Sequence, residues 1–145
     1  MKPGNELLKV LVCAGLTLLW CAPASAEVKK VYHDTGKVHY EWNYVNGMLE
    51  GVSKEYYKQG PLKFEWSYKS GRLDGIARRY YKSGKLMEEL NYKNGEKDGR
   101  SRGYYENGRI HFVETYKNGD LVDRVEYDEE DELTPQVPDN GMNPL

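Results

Sequence analysis

From Val38 onward, apolar and polar residues alternate along the chain. Two clear stretches are Val38-His39-Tyr40-Glu41-Trp42-Asn43-Tyr44 and Leu62-Lys63-Phe64-Glu65-Trp66-Ser67-Tyr68. Successive side chains of a strand point to opposite faces, so a period of two predicts half-buried strands with an aromatic side. The alternation lapses at Glu88 and Glu114. Each such segment follows another strand-like run, such as Val52 to Tyr57. Between the two lie Thr35-Gly36, Gln59-Gly60, Ser83-Gly84 and Asn107-Gly108. These predict two-residue hairpin loops, with Asn-Gly the strongest signal because both positions need positive φ. Glycine pairs bracketing three residues (47 and 51, 71 and 75, 95 and 99) predict longer turns between hairpins.

The whole pattern repeats every 24 residues without a gap. Gly36, Gly60, Gly84 and Gly108 keep that spacing, as do Tyr44, Tyr68, Tyr92 and Tyr116. The pair Tyr56-Tyr57 returns as Tyr80-Tyr81 and Tyr104-Tyr105, with Tyr32-His33 as an altered first copy. Residues 52–75 and 76–99 agree at 11 of 24 positions. The units are 28–51, 52–75, 76–99 and 100–123. Self-similarity at a fixed period means a stacked array, in which each unit touches only its neighbours.

A two-residue loop at Gln59-Gly60 fixes a register that charge can test. It places Tyr57 opposite Leu62 and Lys54 opposite Glu65; the same offset sets Lys30 against Glu41 and Arg78 against Glu89. Opposite charges directly across a ladder contribute about 0.2–1 kcal/mol each. The other face pairs small with large at Ser53–Trp66 and Ala77–Leu90, joins Arg79 to Glu88, and covers Gly103 with Phe112. In the fourth copy Arg102 meets Val113 instead of an acid. The expected fold is all-β: an elongated single-layer antiparallel meander of about eight strands, with an aromatic face and a charged face.

Composition adds a leader and a tail. Lys2 and Lys9 precede an apolar run from Val10 to Ala22, which ends in Ala24-Ser25-Ala26. This describes a secretory signal peptide over 1–26, cleaved after Ala26. The run is shorter than the roughly 20 residues that span a bilayer. Trp20 before Cys21 and Val12 before Cys13 do not suit a lipid-modification site. Both cysteines fall within 1–26, so the repeat region holds no disulfide and no thiolate site. The expectation is an exported protein, periplasmic or secreted. Residues 128–145, with five consecutive acids and then Pro135, Pro138 and Pro144, read as a disordered tail. Of 21 basic and 23 acidic residues, Lys2, Lys9 and Glu6 belong to the leader and six acids to the tail. Residues 27–127 keep 19 bases and 16 acids, too small an excess for a nucleic-acid partner.

Candidate chemistry is sparse. Glu41, Glu65 and Glu89 lie two strands apart in successive copies, about 10 Å, near the upper carboxylate spacing of about 9.5 Å for inverting glycosidases. Each, however, has a base across the ladder, which suits structure better than acid catalysis. His39 and His111 sit three units apart, about 29 Å, and His33 takes the place of a tyrosine. We expect no catalytic residue, no metal and no cofactor. The feature with functional promise is the aromatic side: Tyr40, Trp42, Tyr44, Phe64, Trp66 and Tyr68, continued by Tyr92 and Tyr116. It is first of all the hydrophobic side of the sheet. With no second layer in the sequence to cover it, it should curl on itself, pair with another copy or meet a partner.

Tyr-Tyr-x-x-Gly-x-Leu followed by Tyr-Lys-Asn-Gly-x-x-x-Gly resembles the bacterial variant of the MORN repeat, over about 28–123. Asp123 stands where a closing glycine is expected. The resemblance implies a single-layer β-meander that serves as a scaffold for protein, and sometimes lipid, contacts. It carries no catalytic residues, and some bacterial relatives are labelled antitoxin components of toxin–antitoxin pairs. The expected function is an exported, non-catalytic module that binds a protein, as scaffold, adaptor or immunity-like factor. The alternative is recognition of peptidoglycan or a lipid surface through the Tyr/Trp face, with a homodimer through the apolar face a further option.

Overall fold

The computed structural model describes residues 25–130. The apolar run of the expected leader and most of the expected acidic tail lie outside the described residues. What is described is one open antiparallel sheet without a helix. Its strands are β1 (Ala26–Tyr32), β2 (Val38–Val45), β3 (Met48–Leu49), β4 (Gly51–Tyr56), β5 (Leu62–Lys69), β6 (Arg72–Leu73), β7 (Gly75–Tyr80), β8 (Leu86–Lys93), β9 (Glu96–Lys97), β10 (Gly99–Tyr104), β11 (Ile110–Lys117) and β12 (Asp120–Glu126). The main path runs β1-β2-β4-β5-β7-β8-β10-β11-β12, and the two-residue strands β3, β6 and β9 pair with β2, β5 and β8. The meander therefore has nine strands on its path, because β12 begins at the end of the fourth unit and runs three residues past it.

The two kinds of turn are exchanged relative to the expectation. Asn46-Gly47, Ser70-Gly71, Asn94-Gly95 and Asn118-Gly119 have positive φ at both positions. They are the tight two-residue loops, closing Val45 onto Met48 and Lys69 onto Arg72. The Gly60-type connections are four-residue turns: Gly60 N–H donates to Tyr57 O at 2.8 Å, and Tyr57 N–H to Pro61 O at 2.8 Å. Tyr56, not Tyr57, consequently faces Leu62.

A bulge absorbs the difference. Pairing runs from Glu55↔Phe64 to Tyr56↔Leu62 and skips Lys63; His39, Met87 and His111 are skipped in the other units. One extra residue reverses the side-chain alternation. Upstream of the bulge the expected register is present: Lys54↔Glu65, Ser53↔Trp66, Arg78↔Glu89, Arg79↔Glu88, Ala77↔Leu90, Lys30↔Glu41 and Arg102↔Val113. Past it, Leu62 and Tyr56 share the face of Lys54, away from Phe64 and Trp66. The faces are accordingly mixed, and the charged face carries its own Tyr/aliphatic row.

On that ladder face, Lys30, Glu41, Lys54, Glu65, Arg78, Glu89 and Arg102 lie directly opposite one another on seven successive strands. Ion pairs close at 3.0 Å for Lys30–Glu41 and Arg78–Glu89, and at 3.7 Å for Lys54–Glu65 and Arg102–Glu89. The sign alternates along the row, so each interior charge has a counter-ion on both sides.

Units are joined by bonds that recur with the repeat. The second tyrosine of each pair donates its hydroxyl to a carbonyl about one unit on: Tyr57 to Tyr80, Tyr81 to Tyr104 and Tyr105 to Tyr127, at 2.7–2.9 Å. His33 makes the corresponding contact, Nε2 to Tyr56 O at 3.0 Å. Glu50, Asp74 and Asp98 accept from the backbone N–H of Ser70, Asn94 and Asn118 in the next tight turn.

The last strand departs from the pattern. In earlier units the returning strand carries two more residues than its partner, as Tyr44↔Leu49 gives way to Glu41↔Lys54, with Gly51, Gly75 and Gly99 at φ +78° to +103°. Asp123 holds that place in β12, where only Val122 is skipped. The register moves by one residue, turning Arg124 onto the aromatic side against buried Glu114. Glu129 touches Asn107 and Arg109 just beyond.

Candidate functional site

The sheet has almost no sealed interior. Among the described residues, Ala77 and Tyr104 are the buried apolar ones, and the fully buried side chains are Ser53 and Ser101. Ser53, Ala77 and Ser101 are equivalent by the 24-residue period. Each is a small residue on a strand flanked by larger ones, so side chains two strands apart meet above it. Over Ser53 the indoles of Trp42 and Trp66 stack with ring centres 5.8 Å apart and planes 11° from parallel. Strands two apart are separated by about 10 Å, so this contact requires a small residue between them.

Tyr40 stacks on Trp42 at 5.3 Å, and Phe64 on Trp66 at 5.1 Å. The structure thus brings four candidate residues, Tyr40, Trp42, Phe64 and Trp66, into one half-buried cluster. Tyr44 and Tyr68 lie one row along on the same face. Lys29 Nζ sits 4.9 Å over the Tyr44 ring. Burial, and then the neighbouring Tyr44, push the Tyr68 hydroxyl above its ordinary value. Tyr92 faces Gly75 and Lys97 farther along. Tyr116 is engaged separately, with Lys97 Nζ 4.5 Å over its ring and its hydroxyl donating to Glu114 at 2.9 Å. The aromatic stripe is concentrated in the first two units, and ion pairs Arg79–Glu88 and Arg124–Glu114 replace it beyond.

Sequence reasoning missed the polar rim of the cluster. Glu55, 7% exposed, lies between Tyr40 and Phe64 in the ladder. It accepts from Lys63 at 2.7 Å and faces His39 at 3.5 Å. The Glu55 carboxylate holds the Lys63 ammonium above the ordinary lysine range, against the opposing effect of burial. Two cations approach the Phe64 ring, Lys63 at 5.6 Å and Arg79 at 6.0 Å from its centre. The register between hairpins, Tyr40↔Glu55, reveals Glu55, whereas a hairpin loop fixes only the pairs within one hairpin.

Among the described residues, no three side chains of His, Cys, Asp or Glu converge as a metal site. An open groove of about 440 Å³ lies among β1, β2 and β4, walled by Val28, Glu41, Asn43, Val52 and Lys54.

Nine strands in sequential meander, stapled at a constant period, define a β-hairpin repeat protein. The sequence profile of the MORN repeat variant matches residues 28–46, 49–70, 73–94 and 97–118, and the chain belongs to that family. Repeats of this family generally mediate binding to proteins or membranes. A search of curated proteins finds no match. Among solved structures, a chain of accessory secretory proteins 1, 2 and 3 from Streptococcus pneumoniae is similar, with 14% identity and a TM-score of 0.41. The match covers 63% of this chain and 17% of that one, and carries no argument about function.

Proposed function

We propose that this protein is an exported, non-catalytic binding module that docks another protein on the cluster of Tyr40, Trp42, Phe64 and Trp66. The observation that carries this is a continuous four-ring surface, half-buried in its own sheet, with no second layer over it among the described residues. Stacked aromatic rings with cations at their edge are the side-chain types that dominate binding energy at protein interfaces. Glu41, Glu65 and Glu89 support no rival chemistry, since each is opposed by a base. The leader-like pattern at 1–26 supports an encounter outside the cytoplasm, where an adaptor or immunity-like role against an exported toxin fits.

A photo-crosslinking residue at Tyr40 should give one protein adduct in envelope extract, while one at exposed Val52 on the opposite face should give none. Equal labelling from both positions would contradict the proposal. A second use of the face, on peptidoglycan or an anionic lipid surface, is favoured by Lys29, Lys63 and Arg79 beside the rings. It predicts sedimentation with purified peptidoglycan or phosphatidylglycerol vesicles and no protein adduct.

A further inference from the structure

Among the described residues, six of the eight exposed large apolar side chains lie on the two terminal strands. They are Val28, Val31 and Tyr32 on β1, and Leu121, Val122 and Val125 on β12. Among the described residues each of these strands has a partner on one side only, so a row of backbone N–H and C=O groups faces outward from both. Such edges pair with further strands unless something prevents it.

Their charges are opposite. Lys29 and Lys30 outweigh Glu27 on β1, whereas Asp120, Asp123 and Glu126 outweigh Arg124 on β12. Asp128, Glu129 and Glu130 continue the negative sign past β12. Pairing β12 with β12 sets acid against acid, and pairing β1 with β1 sets lysine against lysine. Only β12 against β1 of another copy brings unlike charges and the exposed valines together.

We propose that copies of this chain associate head to tail, β12 of one adding to β1 of the next. The contact is heterologous, so it extends the sheet into an open array instead of closing a dimer.

Sedimentation velocity of the protein as made by its host tests this. The wild type should grow with concentration through dimers and longer species, and shorten in high salt. Lys29→Glu together with Lys30→Glu should sediment as a monomer, and so should Asp120→Lys together with Asp123→Lys. A mixture of the two variants should associate again, since the reversed β1 of one suits the reversed β12 of the other. Far-UV circular dichroism checks that each variant keeps its strands; if the first is unfolded, Lys29→Glu alone takes its place. A wild type monomeric throughout, or a mixture that stays monomeric, would overturn the proposal. So would association abolished by Trp42→Ala and Trp66→Ala but untouched by charge reversal.

Discussion

Two neighbouring residues of β10 are restrained by different physics. Gly103 has an ordinary extended backbone, yet a Cβ built on it would lie 2.2 Å from Phe112 Cε1. Gly103→Ala must displace that ring and should cost about 1–3 kcal/mol. Urea unfolding would show the loss, and it should shrink on a Phe112→Ala background. Ser101 is fully buried, and its hydroxyl has no hydrogen-bond partner among the described residues. A buried polar group left unmade costs about 1–3 kcal/mol, and Ala77 fills the same place one unit earlier. Ser101→Ala should therefore raise the unfolding midpoint, by about 1 kcal/mol of stability, while Gly103→Ala lowers it.

At the scale of the strand, the ladder gives a pH dependence. Tyr80 donates its hydroxyl to Glu65 at 2.9 Å. Burial first, and that bond second, push its pKa from 10.0 up to about 12. A folded-state pKa above the unfolded one stabilises the fold fully below about pH 10 and loses that contribution as pH rises toward 12. Tyr80→Phe should flatten this alkaline loss in thermal unfolding at pH 9 to 12. Part of it should remain, because the Tyr68, Tyr81 and Tyr104 hydroxyls are also raised by burial. Strand positions and their charge pairs were legible because period two and period 24 are both written in residue type. The turns were not. Asn-Gly at 46–47, 94–95 and 118–119 carries the same signal as Asn107-Gly108, but glycines at 51, 75 and 99 suggested a longer connection. The bulges fall on two histidines (His39 and His111), a lysine (Lys63) and a methionine (Met87), since each residue only has to stand outside the ladder. Nothing in the sequence therefore marked the reversal of face that follows them.

For the whole molecule, stability comes from neighbour contacts along one layer. The buried positions at Ser53, Ala77 and Ser101 lie in β4, β7 and β10, whereas every residue of β1 and β12 is exposed. Amide hydrogen exchange should be slowest across β5 to β10 and fastest in β1 and β12. Uniform protection from end to end would mean that the array opens as one unit. The aromatic cluster could be placed on one face from sequence, and the lapses at Glu88 and Glu114 marked its end, but the ring stacking within it could not be read there. That depends on which rings meet over Ser53, and on the register between hairpins. The most direct test of the account is the affinity of the crosslinked partner for Trp42→Ala/Trp66→Ala, measured where the variant is still folded. The account predicts a loss of at least about 30-fold, the scale of an interface hot spot. Unchanged affinity would mean that the stacked rings hold the sheet together and bind nothing.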